Sequence, residues 1–464
     1  MSKRIRTVCI FAITTITIIL MVFTILLFGN NRNVVVVVDA SLKYQIIQGF
    51  GGSGAYYESL LFSLKEPLRT EVVDLLFSDL GISIYRMRVW TRIESGNDDN
   101  NPNHFNWEHF DFTSDPHQVW NAKQAKKRGV NMFMASVWSP PWWMKDTLRE
   151  TDGGSLLPEM YEEFAEWLAA YVIGYKEKHG IEIGWLSIQN EPDYVASWET
   201  CFYTPEQLRE VVKVVGAKFK SLNLSTKIVI PETADLSDAP NYIDVIMSDP
   251  GAAKYVDVLA CHLYDINYFT PDAGIHRLKT IAEYTSKYNK PFWQTEYSYL
   301  RPERAGTFEE AIMAARHIHN TLTFGNASAY FVWSLFWVEG SPTLVSISRN
   351  GSSYRVNPVF YAVKQYSKFI TPGSRRIHAS SSSPQILVSS YIHEESNKVI
   401  VVVINVSNKP ISLKLYLKNT LLKESLREYR TSRNELCVFI GEAGLSENCL
   451  ETIIPPESIT TFVG

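Results

Sequence analysis

Eight short, nearly continuous apolar runs recur between Gln48 and Ile370, and polar turns and helical patterns separate them. Such runs are typical of parallel strands that are buried on both faces of a sheet. Eight alternations of strand and helix predict an α/β fold, the (β/α)8 TIM barrel. The predicted strands are Ile47–Gly52, Ile82–Val89, Asn131–Trp138, Ile183–Asn190, Lys227–Pro231, Tyr255–Tyr264, Pro291–Thr295 and Ala329–Phe336.

The segments between these runs carry helix signals. In Leu157–His179, aromatic and aliphatic residues recur at the spacing of one helical face. Thr204–Gln207 reads Thr-Pro-Glu-Gln, which is the pattern of a capping box with proline in the first turn. Phe308–Phe324 and Asn357–Ile370 are the last two predicted helices of the barrel.

Short β-branched segments on both sides of the barrel predict a second unit, an antiparallel β-sandwich side domain. The expected strands are Val34–Val38, Lys43–Ile47, Ile386–Ile392, Val399–Val406, Ile411–Leu417 and Ser458–Val463. The sandwich is therefore expected to be discontinuous in sequence. The predicted division is residues 1–32 as a targeting segment, 33–47 and 372–464 as the side domain, and 48–371 as the barrel.

The extreme N-terminus has the composition of a targeting segment. Lys3, Arg4 and Arg6 precede an uncharged, mostly apolar run from Thr7 to Phe28, which is long enough to span a bilayer as a helix. The basic flank favours export of the rest of the chain. We favour an uncleaved signal anchor, with a cleaved signal peptide as the alternative. Either way the segment is expected to contact a membrane or translocon, and the protein to be extracytoplasmic, membrane-anchored or secreted.

The composition excludes several classes of function. A formal net charge of −4, with no long basic run after the N-terminus, gives no electrostatic reason to bind nucleic acid. No Cys-x-x-Cys motif or histidine-rich spacing is present, so no metal is expected. Cys437 and Cys449 would be able to close a short loop in an oxidising compartment. We expect a monomer.

Two acidic residues lie at the ends of predicted barrel strands. Glu191 follows strand four and Glu296 follows strand seven. Active residues of this fold come from the carboxyl ends of the strands, so both side chains are expected in one mouth. Cleavage of a glycosidic bond requires two such carboxylates, and the 12 tryptophans, all between Trp90 and Trp337, suit the stacking of sugar rings. The pattern indicates a glycoside hydrolase.

From Gln48 to the C-terminus the chain resembles glycoside hydrolase family 30, which includes glucosylceramidases, β-1,6-glucanases and xylanases. The resemblance implies a (β/α)8 barrel with an attached β-domain, retention of configuration and no cofactor. It also implies that Glu191 is the acid/base and Glu296 the nucleophile. The matching segments are Gln48–Gly52, Arg86–Val89, Ala135–Trp143, Ser187–Pro192, His262–Tyr264, Thr295–Tyr297 and Tyr366–Gly373.

Six further residues are expected to bind substrate or support the two carboxylates. Asn190 is expected to hydrogen-bond a sugar 2-hydroxyl, and Arg88 to pair with the nucleophile and hold it ionised. Tyr264 is expected to donate to the nucleophile, and His262 to hold nearby polar groups. The two tryptophans are expected to form the walls of the subsite. The set is Arg88, Trp138, Asn190, His262, Tyr264 and Trp333.

Several of these assignments have structural alternatives. Arg88 would also serve as a purely structural ion pair, and His262 as a core histidine with its hydrogen bonds satisfied. Glu232, which ends strand five, and Asp265, which follows strand six, are also expected near the mouth. They rank below the chosen pair because neither lies in a catalytic segment of the family.

The substrate is expected to be a β-linked polysaccharide or oligosaccharide of the xylan or β-glucan type. Residues 139–145, 156–160 and 365–373 resemble the bacterial xylanase and glucanase branches. Glucuronoxylan-specific members carry an arginine after strand eight, and Phe331–Gly340 contains none, so glucuronate dependence is not expected. A glucosylceramidase is the alternative, favoured by the membrane segment. Transglycosylation by the same residues and an inactive, anchored carbohydrate-binding protein are the others.

Overall fold

The computed structural model describes residues 33–99, 101–266, 274–298, 302–421 and 424–464. The expected targeting segment, residues 1–32, lies outside these described residues. Of the helices in the described ranges, none combines the length and the apolar character needed to cross a membrane.

Eight parallel strands close into a barrel, which confirms the predicted fold. The first and eighth strands close the ring, with Gly51 opposite Phe331. The fourth strand is shorter than predicted: it ends at Ser187, so Glu191 lies in the loop that follows it. The barrel strands, numbered one to eight below, are Gly49–Ser53, Ile84–Arg88, Met132–Ser136, Trp185–Ser187, Lys227–Thr233, Val256–Cys261, Phe292–Gln294 and Ala327–Trp333.

The interior of the barrel is packed with side chains rather than open. Trp293 and Phe331 are fully buried there, and their rings lie 5.6 Å apart. A Cβ on Gly51 would lie 2.5 Å from the Phe331 ring, so only glycine fits at that position. This packed layer leaves the carboxyl ends of the strands as the place where a ligand has access.

The helices surround the barrel, and the predicted cap of one of them is confirmed. Thr204 accepts from the Gln207 backbone N–H, and the Gln207 side chain accepts from the Thr204 N–H. The helices are Glu58–Ser63, Leu68–Asp74, Pro116–Lys127, Tyr161–His179, Pro205–Ser221, Ala239–Met247, Pro250–Ala253, Ile275–Tyr288, Phe308–Thr323 and Pro358–Ser367. A small sheet of Phe336–Val338, Val345–Ile347 and Tyr354–Val356 follows strand eight.

A separate nine-stranded sheet combines residues from before and after the barrel. In spatial order its strands are Glu435–Gly444, Ser425–Ser432, Ser458–Val463, Lys398–Asn405, Ile386–His393, Arg375–Ser381, Val34–Ile46, Ile411–Lys418 and Cys449–Ile454. Val401 and Leu415, from distant strands, belong to one buried cluster, so the sheet curves over its own core. All pairs are antiparallel except Val34–Ile46 with Ile411–Lys418, which is parallel.

The two strands predicted at the start of this sheet are a single strand, Val34–Ile46. The polar residues between the two predicted strands are accommodated within it, because Asp39 accepts from the Ser41 N–H and hydroxyl. Pairing with the next strand resumes at Lys43, opposite Ile377.

The side sheet is attached to the barrel by buried contacts. The Gln45 amide donates to the carbonyls of Leu322 and Ala327, and the Gln365 amide donates to Thr431 Oγ1 at 2.9 Å. The four cysteines of the described residues, Cys201, Cys261, Cys437 and Cys449, are free thiols.

Candidate active site

Glu191 and Glu296 lie together at the carboxyl ends of the barrel strands. Each has 7% of its surface exposed, and one oxygen of each lies within 4.8 Å of the other and of a His262 nitrogen. Glu191 occupies the loop after strand four with φ of 51°, and its N–H donates to the carbonyl of Glu232, whose φ is 60°. A left-handed conformation costs a non-glycine residue about 1–3 kcal/mol and is concentrated at functional sites.

His262 is fully buried between three carboxylates. Its Nδ1 donates to Glu191 Oε1 at 2.9 Å and lies 3.9 Å from Glu296 Oε1, while Nε2 lies 3.8 Å from Glu232 Oε1. Burial lowers the pKa of His262, but the charges of Glu296, Glu191 and Glu232 outweigh burial and raise it to about 10. A protonated imidazole has no free lone pair, so His262 is not available as a metal ligand in this state.

Arg86, in the middle of strand two, is the arginine that contacts Glu296. Its Nη1 donates to Glu296 Oε2 at 2.6 Å. Its Nη2 donates to Asn190 Oδ1 at 2.7 Å and to Glu232 Oε1 at 3.0 Å. The guanidinium is fully buried and lies 4.7 Å from the centre of the Trp138 ring. One side chain thus orients three polar groups of the mouth.

The expectation that Arg88 pairs with Glu296 is wrong. Arg88 Nη1 donates to Glu58 at 2.6 Å, and Nη2 donates to both oxygens of Asp115 at 3.0 Å. Arg88 is the last residue of its strand, where side chains of two neighbouring helical segments supply the opposite charge. Arg86 lies two residues deeper and faces the centre of the mouth. Arg88 is therefore the structural ion pair of the alternative interpretation.

Glu232, ranked low by sequence reasoning, is part of the buried network. Burial alone would raise the pKa of Glu232, but Arg86 and His262 outweigh burial and lower it to about 2. It is therefore a permanent carboxylate beneath the mouth. Asp265 is elsewhere: it pairs with Arg277 and accepts from two backbone N–H groups of the loop after strand five.

Tyr264 and Asn190 occupy the positions expected for them. The Tyr264 hydroxyl donates to Glu296 Oε1 at 2.8 Å. Burial, and then the charges of Glu296 and Glu191, hold the pKa of Tyr264 well above its usual value, so it remains a donor. Asn190 Oδ1 accepts from Arg86, which leaves its amide Nδ2 as the end that is able to donate to a ligand.

Opposing effects act on Glu296. Burial raises its pKa, and so does the nearby charge of Glu191. His262, Arg86 and the Tyr264 hydroxyl favour the ionised form, and the net shift is upward. Both oxygens of Glu296 accept hydrogen bonds, one from Arg86 and one from Tyr264, which fixes the orientation of the carboxyl group.

A cavity of about 610 Å³ opens above these groups, and aromatic rings form most of its wall. Trp138 and Trp333, both expected there, have ring centres 5.8 Å apart. Tyr57 and Trp337, not expected, stack with ring centres 4.3 Å apart. The described residues that line the cavity are Tyr56, Tyr57, Trp138, Glu191, Tyr194, Trp198, Glu199, Ala234, Asp235, Tyr264, Glu296, Trp333 and Trp337.

Comparison with known proteins agrees with this geometry. The model of O-glycosyl hydrolase family 30 matches residues 33–340. A glucuronoxylanase, XynC, from Bacillus subtilis is 28% identical over 97% of this chain and 98% of its own length. A putative glucosylceramidase from Caenorhabditis elegans is 26% identical over 82% of this chain and 77% of its own length.

A solved structure has the same fold throughout. The family 30 endoxylanase of Clostridium papyrosolvens superposes with a TM-score of 0.75, at 25% identity, over 92% of this chain and 99% of its own. The match covers the barrel and the curved side sheet. The chain is a member of O-glycosyl hydrolase family 30, and it is an O-glycosyl hydrolase.

Proposed function

We propose that this enzyme cleaves β-linked glycosidic bonds with retention of configuration, with Glu296 as the nucleophile and Glu191 as the acid/base. The observation that carries the proposal is the short distance between their oxygens, within 4.8 Å. Retaining enzymes hold their two carboxyl groups about 5–5.5 Å apart, whereas inverting enzymes separate them by about 6.5–9.5 Å to admit a water molecule.

The hydrogen bonds support this division of roles. Glu296 accepts from Arg86 and Tyr264, which favour a carboxylate with a fixed direction of attack. Among the described side chains, His262 is the one that donates to Glu191, through Nδ1 to Oε1. The other oxygen of Glu191 is left for the substrate. The carboxyl group with fewer fixed donors is the one that is free to contact the leaving oxygen.

The buried charges beside the two glutamates are balanced. Arg86 and His262 contribute two positive charges, and the carboxylates of Glu232 and Glu296 contribute two negative charges. This balance limits the cost of burying the four groups in a low-dielectric site. As the acid, Glu191 must carry the proton that it gives to the leaving oxygen.

The reaction follows from these positions. Glu296 attacks the anomeric carbon, the glycosidic bond breaks, and Glu191 gives its proton to the leaving oxygen. The product of this step is a glycosyl ester of Glu296. Glu191, now a carboxylate, takes a proton from water as that water attacks the anomeric carbon, and Glu296 leaves. Asn190 Nδ2 is placed to donate to the sugar 2-hydroxyl, a bond that strengthens in the transition state.

The substrate class proposed is an uncharged β-linked polysaccharide or oligosaccharide of the xylan or β-glucan type. The described residues of the cavity wall include four acidic groups, Glu191, Glu199, Asp235 and Glu296, and no lysine or arginine. Among these described lining residues, no cation is present to bind a glucuronate branch. Aromatic rings, by contrast, suit the flat faces of neutral sugars.

A glycolipid substrate is the second candidate, because one rim of the cavity is apolar. Tyr194, Val195 and Trp198 are each about half exposed in the loop after strand four, and Tyr194 and Trp198 line the cavity. Such a surface would accommodate the lipid chain of a glucosylceramide as well as further sugar rings. The similarity to a putative glucosylceramidase supports this candidate.

A substrate screen tests the proposal. The full-length chain, in mild detergent, is incubated with xylan, glucuronoxylan, β-1,3-glucan, β-1,6-glucan and glucosylceramide. We expect turnover of at least one neutral β-glycan, no requirement for glucuronate branches, and complete loss of turnover in Glu296→Gln. Glu177→Gln, at an exposed position of helix Tyr161–His179 outside the cavity, is the control and should retain activity. Cleavage by Glu296→Gln at the wild-type rate would overturn the proposal.

We further propose that the enzyme acts outside the cytoplasm and that residues 1–32 anchor it or direct its export. The basic flank and apolar run of the sequence support this location. Sequencing the mature N-terminus tests it. Recovery of Lys3 to Arg6 in a membrane fraction indicates an anchor, a start near Asn30 indicates cleavage, and an intact soluble cytoplasmic chain would contradict both.

A further inference from the structure

Four carboxylates form an acidic cluster outside the active site: Glu94, Asp98, Glu163 and Glu166. Glu94 and Asp98 belong to the segment after strand two, and the other two lie in the first turns of helix Tyr161–His179. Asp98, Glu163 and Glu166 each place one oxygen within 4.8 Å of the others. The cluster therefore joins a loop on the mouth side of the barrel to a helix of the outer layer.

The backbone holds these residues in place. Glu94 pairs with Phe110 in an isolated antiparallel bridge. Asp98 accepts from the backbone N–H groups of Asp99 and Asn106 at 2.7 and 3.0 Å. Glu163 and Glu166 are three residues apart on a helix, so their side chains lie on the same face. The convergence of oxygens is thus fixed by the fold rather than by flexible surface chains.

The cluster contains buried oxygens without hydrogen-bond partners. Glu94 and Glu166 are 3% and 2% exposed, and Oε1 of each lacks a partner among the described residues. The charges that act most strongly on these two residues are those of other carboxylates in the segment and the helix. Arg92, the arginine nearest to Glu94 in sequence, lies over the Trp90 ring, with its guanidinium carbon 5.6 Å from the ring centre.

Buried carboxylates with no opposite charge are costly. Here three carboxylate oxygens converge within 4.8 Å, and buried oxygens of Glu94 and Glu166 have no hydrogen-bond partner among the described residues. A bound cation would offset the charge of the converging carboxylates.

We propose that the acidic cluster binds one hard divalent cation, and that Ca²⁺ is the ion that fits it. All the offered ligands are carboxylate oxygens, with no thiolate or imidazole, which suits Ca²⁺ or Mg²⁺ rather than zinc or copper. Two oxygens on one Ca²⁺, each about 2.4 Å from it, are at most about 4.8 Å apart. The three ligand oxygens lie within 4.8 Å of one another, so one Ca²⁺ is able to contact all three.

Mg²⁺ fits this arrangement less well. It requires shorter bonds of about 2.0–2.1 Å in near-ideal octahedral geometry, and it keeps several waters. The site offers buried carboxylates on a helix face, which Ca²⁺ accommodates because its coordination number and bond lengths vary. The bound ion would tie the segment after strand two to the helix, and thereby stabilise that side of the mouth.

Calorimetry and thermal unfolding test the site. The full-length chain is treated with a chelator, dialysed, and titrated with CaCl₂ at neutral pH. We expect one Ca²⁺ per chain, weaker binding of Mg²⁺, and a rise in Tm of about 3 °C at saturating Ca²⁺ relative to the chelated protein. Glu166→Gln and Asp98→Asn should each weaken Ca²⁺ binding at least about tenfold.

The matched control is Glu162→Gln, which removes one charge from an exposed position of the same helix turn. It should bind Ca²⁺ as the wild type does. In chelator, Glu166→Gln should unfold at a higher temperature than the wild type, because it relieves repulsion among buried carboxylates. A wild-type chain that binds no Ca²⁺ and shows no change in Tm would overturn the proposal. Equal Ca²⁺ affinity in Glu166→Gln, Asp98→Asn and Glu162→Gln would also overturn it.

Discussion

Arg86 Nη1 donates a 2.6 Å hydrogen bond to Glu296 Oε2, and both groups are almost fully removed from solvent. Arg88, two residues further along the same strand, forms ion pairs with Glu58 and Asp115 instead. Two arginines of one strand therefore have separate partners: Arg86 holds Glu296 and Glu232 at the mouth, and Arg88 connects its strand to the neighbouring helical segments.

These two arginines make a matched pair of variants. Arg86→Lys should lower kcat/KM by about 100-fold or more, because the single, compact ammonium of lysine does not reproduce the two separate nitrogens with which the guanidinium reaches Glu296, Asn190 and Glu232. Arg88→Lys should lower Tm while keeping kcat/KM within about tenfold of the wild type. Steady-state kinetics and thermal unfolding of both variants decide the matter. A larger kinetic loss in Arg88→Lys would contradict the assignment.

Removal of the acid/base should affect substrates unequally. An aryl glycoside with an acidic phenol needs little protonation when it leaves, so Glu191→Ala should impair it far less than a substrate with a poor leaving group. Azide should restore the second step by attacking the glycosyl ester and forming a glycosyl azide. The same loss on both kinds of substrate, with no azide product, would count against Glu191.

The pH dependence of stability should report the buried imidazolium. The pKa of His262 is raised in the folded protein to about 10 from an ordinary value of 6.5. Its contribution to the free energy of unfolding is therefore fully present below pH 6.5 and is lost as pH rises through about 10. His262→Gln should show a shallower fall of Tm over this range than the wild type.

The control for this experiment is His393→Gln, in the side sheet, which should keep the wild-type slope. Because other groups also titrate in this range, the quantity of interest is the difference in slope between each variant and the wild type. Parallel curves for the wild type and His262→Gln would show that the imidazole is not charged in the folded state.

The aromatic wall should act mainly on binding. Trp337→Ala removes the ring that stacks on Tyr57 at the edge of the cavity and should raise KM by about tenfold with a smaller effect on kcat. Trp142→Ala, which removes an exposed ring outside this cavity, is the control and should leave KM unchanged. A fall in kcat alone for Trp337→Ala would contradict a binding role.

The barrel and the two glutamates were predictable because their signals are local. Continuous apolar runs mark strands buried on both faces, and the residue after each run lies at the mouth. Glu191 and Glu296 satisfy both conditions. Their proximity across more than a hundred positions of sequence follows from closure of the barrel and needs no further information.

The roles of Arg86 and Arg88 were not predictable in the same way. Residues two apart on a strand point to the same face, so periodicity does not distinguish them. What separates them is depth in the barrel and the positions of Glu58 and Asp115, which are tertiary facts. Glu232 was undervalued for the same reason, since its partners come from other strands.

Four strands of the side sheet also escaped prediction: Arg375–Ser381, Ser425–Ser432, Glu435–Gly444 and Cys449–Ile454. Arg375–Ser381 and Ser425–Ser432 are rich in charged and polar residues, and the other two form the edges of the sheet. In Glu435–Gly444 the described side chains are exposed or only partly buried along the whole strand, so no apolar alternation marks it. Tertiary pairing stabilises these strands where local sequence does not.

Covalent trapping tests the central claim of a retaining mechanism most directly. A 2-deoxy-2-fluoro glycoside of the sugar identified by the substrate screen, with a good leaving group, should form a glycosyl ester that is slow to hydrolyse. Mass spectrometry of the intact chain should show one added sugar, and peptide mapping should place it on Glu296. If the enzyme hydrolyses the fluoro glycoside without becoming labelled, or if the label is found on any other residue, the double displacement through Glu296 is contradicted.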